Sequence, residues 1–209
     1  NGILETSIDI VGNRILTIDR KKNISISNLQ TGSLINHVPG VFNDLVKAAL
    51  LPDGLNLVIT TTDSIKILNC IDGKQTAVMR EQTGAIFSAH SNKLITYTDD
   101  FYGNPPSIWD LKSYNPQTHL RVDTSNFFRS NNPYSLIEIL FSPDGTRILT
   151  QTNSYKTQIW NAINGTLISE LRGYATQINH ASFSSDGNMV SLTCDDKMVK
   201  IWDVINGKF

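Results

Sequence analysis

The chain has 209 residues, 40% hydrophobic and 18% charged, which suits one all-β domain with a sizeable core and excludes a disordered or fibrous chain. A formal net charge of -1, with Lys and Arg scattered and densest at 19–23, excludes the basic surface that nucleic acid would need. No apolar run reaches transmembrane length and no signal peptide is visible, so no membrane partner is expected. Cys70 and Cys194 stand in strand-like hydrophobic contexts, which read as buried thiols of a reducing, cytoplasmic compartment.

Taken in order, the predicted elements fall into five groups. The first runs "TSIDI", "RILTID", "NISISNL" and "TGSLINHV"; residues 4–10 form its opening strand. The second runs "LVKAALL", "LNLVITT", "SIKILNC" and "DGKQTAVM". The third runs "AIFSAH", "KLITYTD", "SIWDLKS" and "NPQTHLRV". The fourth runs "IEILFS", "RILTQTN", "TQIWNAI" and "NGTLISEL". The fifth runs "NHASFS", "MVSLTCD", "VKIWDVI" and "NGKF", and is short of a fourth strand. The runs are rich in Ile, Val, Leu and Thr, which suit a pleated, half-buried surface. The first and second runs are joined by "VGN", "PDG", "HSN", "PDG" and "SDG", residues that tolerate the backbone angles of tight hairpins.

A period of about 42 residues holding four short antiparallel strands, a to d, is the mark of a propeller blade. The expected fold is therefore all-β: a β-propeller of about five four-stranded antiparallel blades, closing as five or forming part of a larger ring. Approximate blades are 1–40, 41–80, 81–124, 125–172 and 173–209, in a single propeller domain or propeller fragment spanning 1–209. The short fifth group favours the larger ring, and the absence of an initiator Met suggests a trimmed chain or a fragment. An open arc would expose an apolar face at each end, so missing blades or self-association are expected if the ring is open.

"IWD" at Ile108–Asp110 and Ile201–Asp203, "IWN" at Ile159–Asn161, "FSPDG" at 141–145 and "FSSDG" at 183–187 carry a resemblance to the WD-repeat β-propeller family. The resemblance is strongest in the last two units; the first two put Ser27 and Leu68 where Trp would stand. It implies a polar network inside each blade, built from His, Ser or Thr, Asp and Trp. Here Trp109, Trp160 and Trp202 supply the indoles, Asp196 the carboxylate of the last unit, and Tyr174 replaces the family His. Asp63, Asp100 and Ser154 stand at the corresponding positions of the other units. Their expected role is structural.

No Cys-His or His-His spacing suggests a metal, no Gly-rich loop suggests a phosphate, and no Gly-x-Ser-x-Gly elbow appears, so no cofactor or metal is expected. The a strands offer one polar residue each: Asp9, Lys47, His90, Glu138 and His180. They could line a central channel, the basis of an alternative reading as a propeller hydrolase or oxidoreductase. The leading expectation is not an enzyme but a scaffold binding another protein or peptide. Two long connections carry it: a b–c loop at 99–107 and a d–a loop at 123–135, which a propeller projects from one face. They hold Phe101, Tyr102, Phe127, Phe128, Arg129 and Tyr134, and Tyr155 extends the surface from the next b–c loop. Aromatic residues and Arg dominate binding hot spots, and loops on rigid scaffolds carry function. A further alternative is the sensor or regulatory propeller of a larger signalling protein.

Overall fold

The computed structural model describes residues 2–9, 12–38, 44–88, 90–98, 106–120, 136–152, 156–173 and 178–208. They hold nineteen strands in five antiparallel sheets and, among the described residues, no helix. Sheet 1 is β1 (Ile3–Asp9), β2 (Arg14–Asp19), β3 (Ile24–Asn28) and β4 (Leu34–Val38). Sheet 2 is β5 (Leu45–Leu50), β6 (Asn56–Thr61), β7 (Ser64–Asn69) and β8 (Gln75–Arg80). Sheet 3 is β9 (Gly84–Phe87), β10 (Lys93–Tyr97), β11 (Ser107–Asp110) and β12 (Pro116–His119). Sheet 4 is β13 (Leu136–Phe141), β14 (Arg147–Thr152), β15 (Thr157–Asn161) and β16 (Leu167–Leu171). Sheet 5 is β17 (Ile178–Phe183), β18 (Met189–Cys194) and β19 (Val199–Asp203), three strands among the described residues. In every sheet the chain order is the spatial order, the meander of a propeller blade.

Register repeats with the period. Ser27 pairs with Ile15, Leu68 with Leu57, Trp109 with Leu94, Trp160 with Ile148 and Trp202 with Val190. Ser27 and Leu68 thus occupy the Trp site, as their spacing predicts. The c–d pairing breaks register just before that site, between Ile26 and Ser27, Ile67 and Leu68, Ile108 and Trp109, and Ile159 and Trp160.

The turns follow the local chemistry. At the a–b turns Gly54, Gly145 and Gly187 have φ of 65, 69 and 71°, and Asn13 and Asn92 hold the same position at 52 and 49°. Asn is a side chain that tolerates this left-handed region, so "VGN" and "HSN" can stand in for "DG". At the c–d turns the residue after the Trp site caps the chain. Asp110 Oδ1 accepts from Lys112 N and Ser113 N, and Asp203 Oδ1 from Ile205 N and Asn206 N. Asn161 Oδ1 does the same for Ile163 N and Asn164 N, which is why Asn can replace Asp there.

Two compact units divide the chain, Asn1–Ala85 and Ile86–Phe209. In the first, Leu16, Ile18, Ile24 and Ile26 of sheet 1 bury against Leu45, Leu50, Leu57 and Ile59 of sheet 2. In the second, Ile95, Ile108 and Leu120 of sheet 3 meet Ile139, Ile148 and Trp160 of sheet 4. The opposite face of sheet 4, with Leu149, Ile159 and Leu171, packs on Ile178, Val190, Leu192 and Trp202 of sheet 5. Each sheet therefore has a leading face that carries the Trp site and a trailing face that carries the c-strand Ile. Strand alternation puts neighbouring residues on opposite faces, so both faces are apolar and Val, Ile and Leu dominate.

Candidate functional site

Phe101, Tyr102, Phe127, Phe128, Arg129, Tyr134, Tyr155 and Tyr174 lie outside the described residues, as do Asp100 and Ser154. The roots of the connections that carry the aromatic residues are described. The b–c connection of sheet 3 leaves after Thr98 and returns at Pro106; the following d–a connection leaves after Leu120. Leu120 N donates to Pro106 O at 2.8 Å, so the two segments are tied together at one end of sheet 3. Leu120 is fully buried and belongs to the core with sheet 4, which fixes that departure point on a rigid base. In sheet 4, Thr152 N donates to Lys156 O at 3.0 Å and closes the b–c connection at its root.

The Trp site lies on the same c strands. Trp109 Nε1 donates to Thr96 Oγ1 and Trp160 Nε1 to Thr150 Oγ1, both at 2.8 Å. The hydroxyl comes from strand b, two residues beyond the one paired with Trp. In sheet 5 that position is Leu192, which has no hydroxyl, and Trp202 Nε1 donates instead to Arg172 O at 2.9 Å. Asp196 bonds with Met198 N at 3.0 Å and pairs with Lys200 Nζ at 3.4 Å. In sheet 2, Asp63 Oδ1 accepts from Thr61 Oγ1 at 3.0 Å and Ser64 Oγ at 2.9 Å. These bonds, led by that from Ser64, hold the Asp63 carboxyl below the usual range. In the sequence Thr96 and Thr150 look like ordinary β-formers, and only register shows their indole partners.

The a-strand polar residues do not behave alike. Glu138 Oε1 lies 2.8 Å from His180 Nδ1, and Glu138 Oε2 accepts from Ala181 N at 2.8 Å, tying sheet 4 to sheet 5. Asp9 Oδ1 accepts from Gly12 N at 2.9 Å and starts the a–b turn, and Lys47 is exposed on β5. His90 is not on an a strand. β9 ends at Phe87, and Ser88 Oγ accepts from the amides of His90 and Ser91, which turns the chain first. Cys70 and Cys194 are free and buried; burial pushes the Cys70 thiol up to about 11, against the lowering effect of Arg14.

Residues 165–203 match the family model described as WD domain, G-beta repeat. The chain is similar to Ribosome assembly protein 4 of Saccharomyces cerevisiae, 32% identical over 63 residues, 30% of this chain and 12% of that protein. It is also similar to the COMPASS component SWD3 of the same yeast, 31% identical over 75 residues, 36% of this chain and 23% of that protein. A longer match, to Autophagy-related protein 16 of Arabidopsis thaliana, is 19% identical over 193 residues, 90% of this chain and 36% of that protein. The chain spans between 12% and 36% of the length of these three relatives. The matched segment runs from the c–d turn of sheet 4 through strand c of sheet 5, and the other sheets repeat that frame strand for strand, which supports a WD-repeat family.

Proposed function

We propose that residues 1–209 form one propeller domain, or part of one, and act as a non-catalytic scaffold. The scaffold binds another protein or peptide through the face that carries the b–c and d–a connections of sheets 3 and 4. Phe101, Tyr102, Phe127, Phe128, Arg129, Tyr134 and Tyr155 are the contact residues of this reading. The observation that supports it is the Leu120 N to Pro106 O bond, which roots the two longest connections side by side over a buried core. Aromatic anchors on a rigid base lose little conformational entropy on binding. The names of the relatives fit this reading: one is called an assembly protein and another a component of COMPASS. The free, buried thiols support a cytoplasmic setting.

The test is affinity capture from cell extract with the parent chain and a Tyr102→Ala/Phe127→Ala/Phe128→Ala variant, after both show the same Tm and monodisperse mass. A partner kept by the parent and lost by the variant is the expected result. Equal capture places the interface elsewhere, and a variant that melts early makes these aromatic residues part of the fold's cover.

A further inference from the structure

The described residues contain two Asn-Gly pairs, Asn164–Gly165 and Asn206–Gly207, at the same place in the c–d turns of sheets 4 and 5. Both asparagines are exposed, and Gly165 and Gly207 have φ of 69 and 61°. Gly165 N donates to Asn161 O and Gly207 N to Asp203 O, both at 2.9 Å. Asn161 N donates to Thr166 O and Asp203 N to Lys208 O, both at 2.8 Å. Each turn also lies on the preceding d strand: an added Cβ would meet Thr118 Cγ2 at 2.8 Å from Gly165 and Glu170 O at 2.7 Å from Gly207. The two backbones are therefore closed and seated alike.

They differ in the side chain after Gly. Asn164 Oδ1 accepts from Thr166 N at 3.0 Å and from Thr166 Oγ1 at 2.7 Å. Lys208 stands at the Thr166 position, and the Asn206 side chain makes no hydrogen bond among the described residues. An Asn-Gly pair can react with itself. Gly carries no Cβ, so its N has an unhindered approach to the neighbouring carboxamide. The N attacks Asn Cγ, the Cγ–Nδ2 bond breaks, and ammonia leaves with the amide proton as a succinimide closes. Water then opens either carbonyl and leaves aspartate or isoaspartate. The carboxamide must swing to meet the Gly N. Thr166 tethers it in sheet 4, and Lys208 does not in sheet 5.

We propose that Asn206 is a self-modification site, deamidated through a succinimide, and that Thr166 protects Asn164 from the same reaction. The product adds a negative charge to the turn, and isoaspartate also lengthens its backbone by a carbon. Ser169 Oγ donates to Val204 O where this turn meets β16, so the modification loosens the turn from that strand.

Peptide mapping by mass spectrometry, after incubation of the parent chain at neutral pH and body temperature, tests this with Lys208→Thr and Thr166→Lys variants. The urea-unfolded chain, which converts at both positions, is the control. In the folded parent Asn206 is expected to convert at least about fivefold faster than Asn164, the order set by two net hydrogen bonds. Lys208→Thr is expected to slow Asn206 by about the same factor, and Thr166→Lys to release Asn164. Each variant must keep the parent's Tm; Thr166→Val replaces Thr166→Lys if it does not. A folded parent in which neither position converts, equal rates at the two positions, or an Asn206 rate unchanged by Lys208→Thr would each overturn the proposal.

Discussion

Replacing Thr150 by Val separates packing from hydrogen bonding at the Trp site. Val keeps the shape and removes the hydroxyl that accepts from Trp160 Nε1 at 2.8 Å. Thr150 is 0% and Trp160 2% exposed, so water does not replace the lost acceptor. A buried donor left without a partner costs about 1–3 kcal/mol. For a chain of this length a loss near 2 kcal/mol lowers Tm by roughly 4–8 °C. The assay is thermal and urea unfolding of Thr150→Val, Trp160→Phe and the double variant. Phe has no N–H to strand, so Thr150→Val is expected to cost little in the Trp160→Phe background. Equal costs in both backgrounds, or a drop in Tm below about 1 °C, would refute the assignment of the indole bond as a stabilising contact.

Three other outcomes follow from the same geometry. Gly207 has φ of 61°, and an added Cβ would lie 2.7 Å from Glu170 O, so Gly207→Ala is expected to destabilise by about 1–3 kcal/mol in urea unfolding. Burial raises the Asp144 pKa, but bonds from Ser142 and Thr146 and the charge of Arg147 outweigh it and hold the carboxyl at about 2. A depressed carboxyl stabilises above its unfolded pKa and loses that contribution as pH falls from about 4 to about 2. Solvent screening keeps the contribution near 1 kcal/mol, and Asp144→Asn is expected to flatten this part of the acid-unfolding profile. Cys70, 0% exposed and raised to about 11, is expected to resist alkylation at neutral pH until the chain is unfolded, as read by mass spectrometry.

The repeat was legible in the sequence because Gly and Asn turns recur at a fixed spacing. That spacing put Ser27 and Leu68 on the Trp site although neither resembles Trp, and the strand register agrees. What sequence did not show depends on contacts between strands or sheets. Thr96 and Thr150 meet their indoles across a sheet, and the Asp of "IWD" serves as a turn cap, a role that only the amides of the next residues reveal. Glu138 and His180 are one repeat apart, so the period could have suggested that they meet on adjacent a strands. The apolar run before His90 suggests a strand, but Ser88 caps the turn two residues earlier. The aromatic residues of the proposed face lie outside the described residues, and their assignment rests on loop length and composition.

The most direct test of a binding face on the b–c and d–a connections is site-specific photo-crosslinking in cell extract. A photoreactive amino acid is placed at Phe127 in one preparation and at Ile163 in another. Ile163 is 66% exposed on a c–d turn, at the opposite end of the strands. A discrete adduct is expected from position 127 and none from position 163. An adduct from position 163 alone would contradict it and move the partner to the other face.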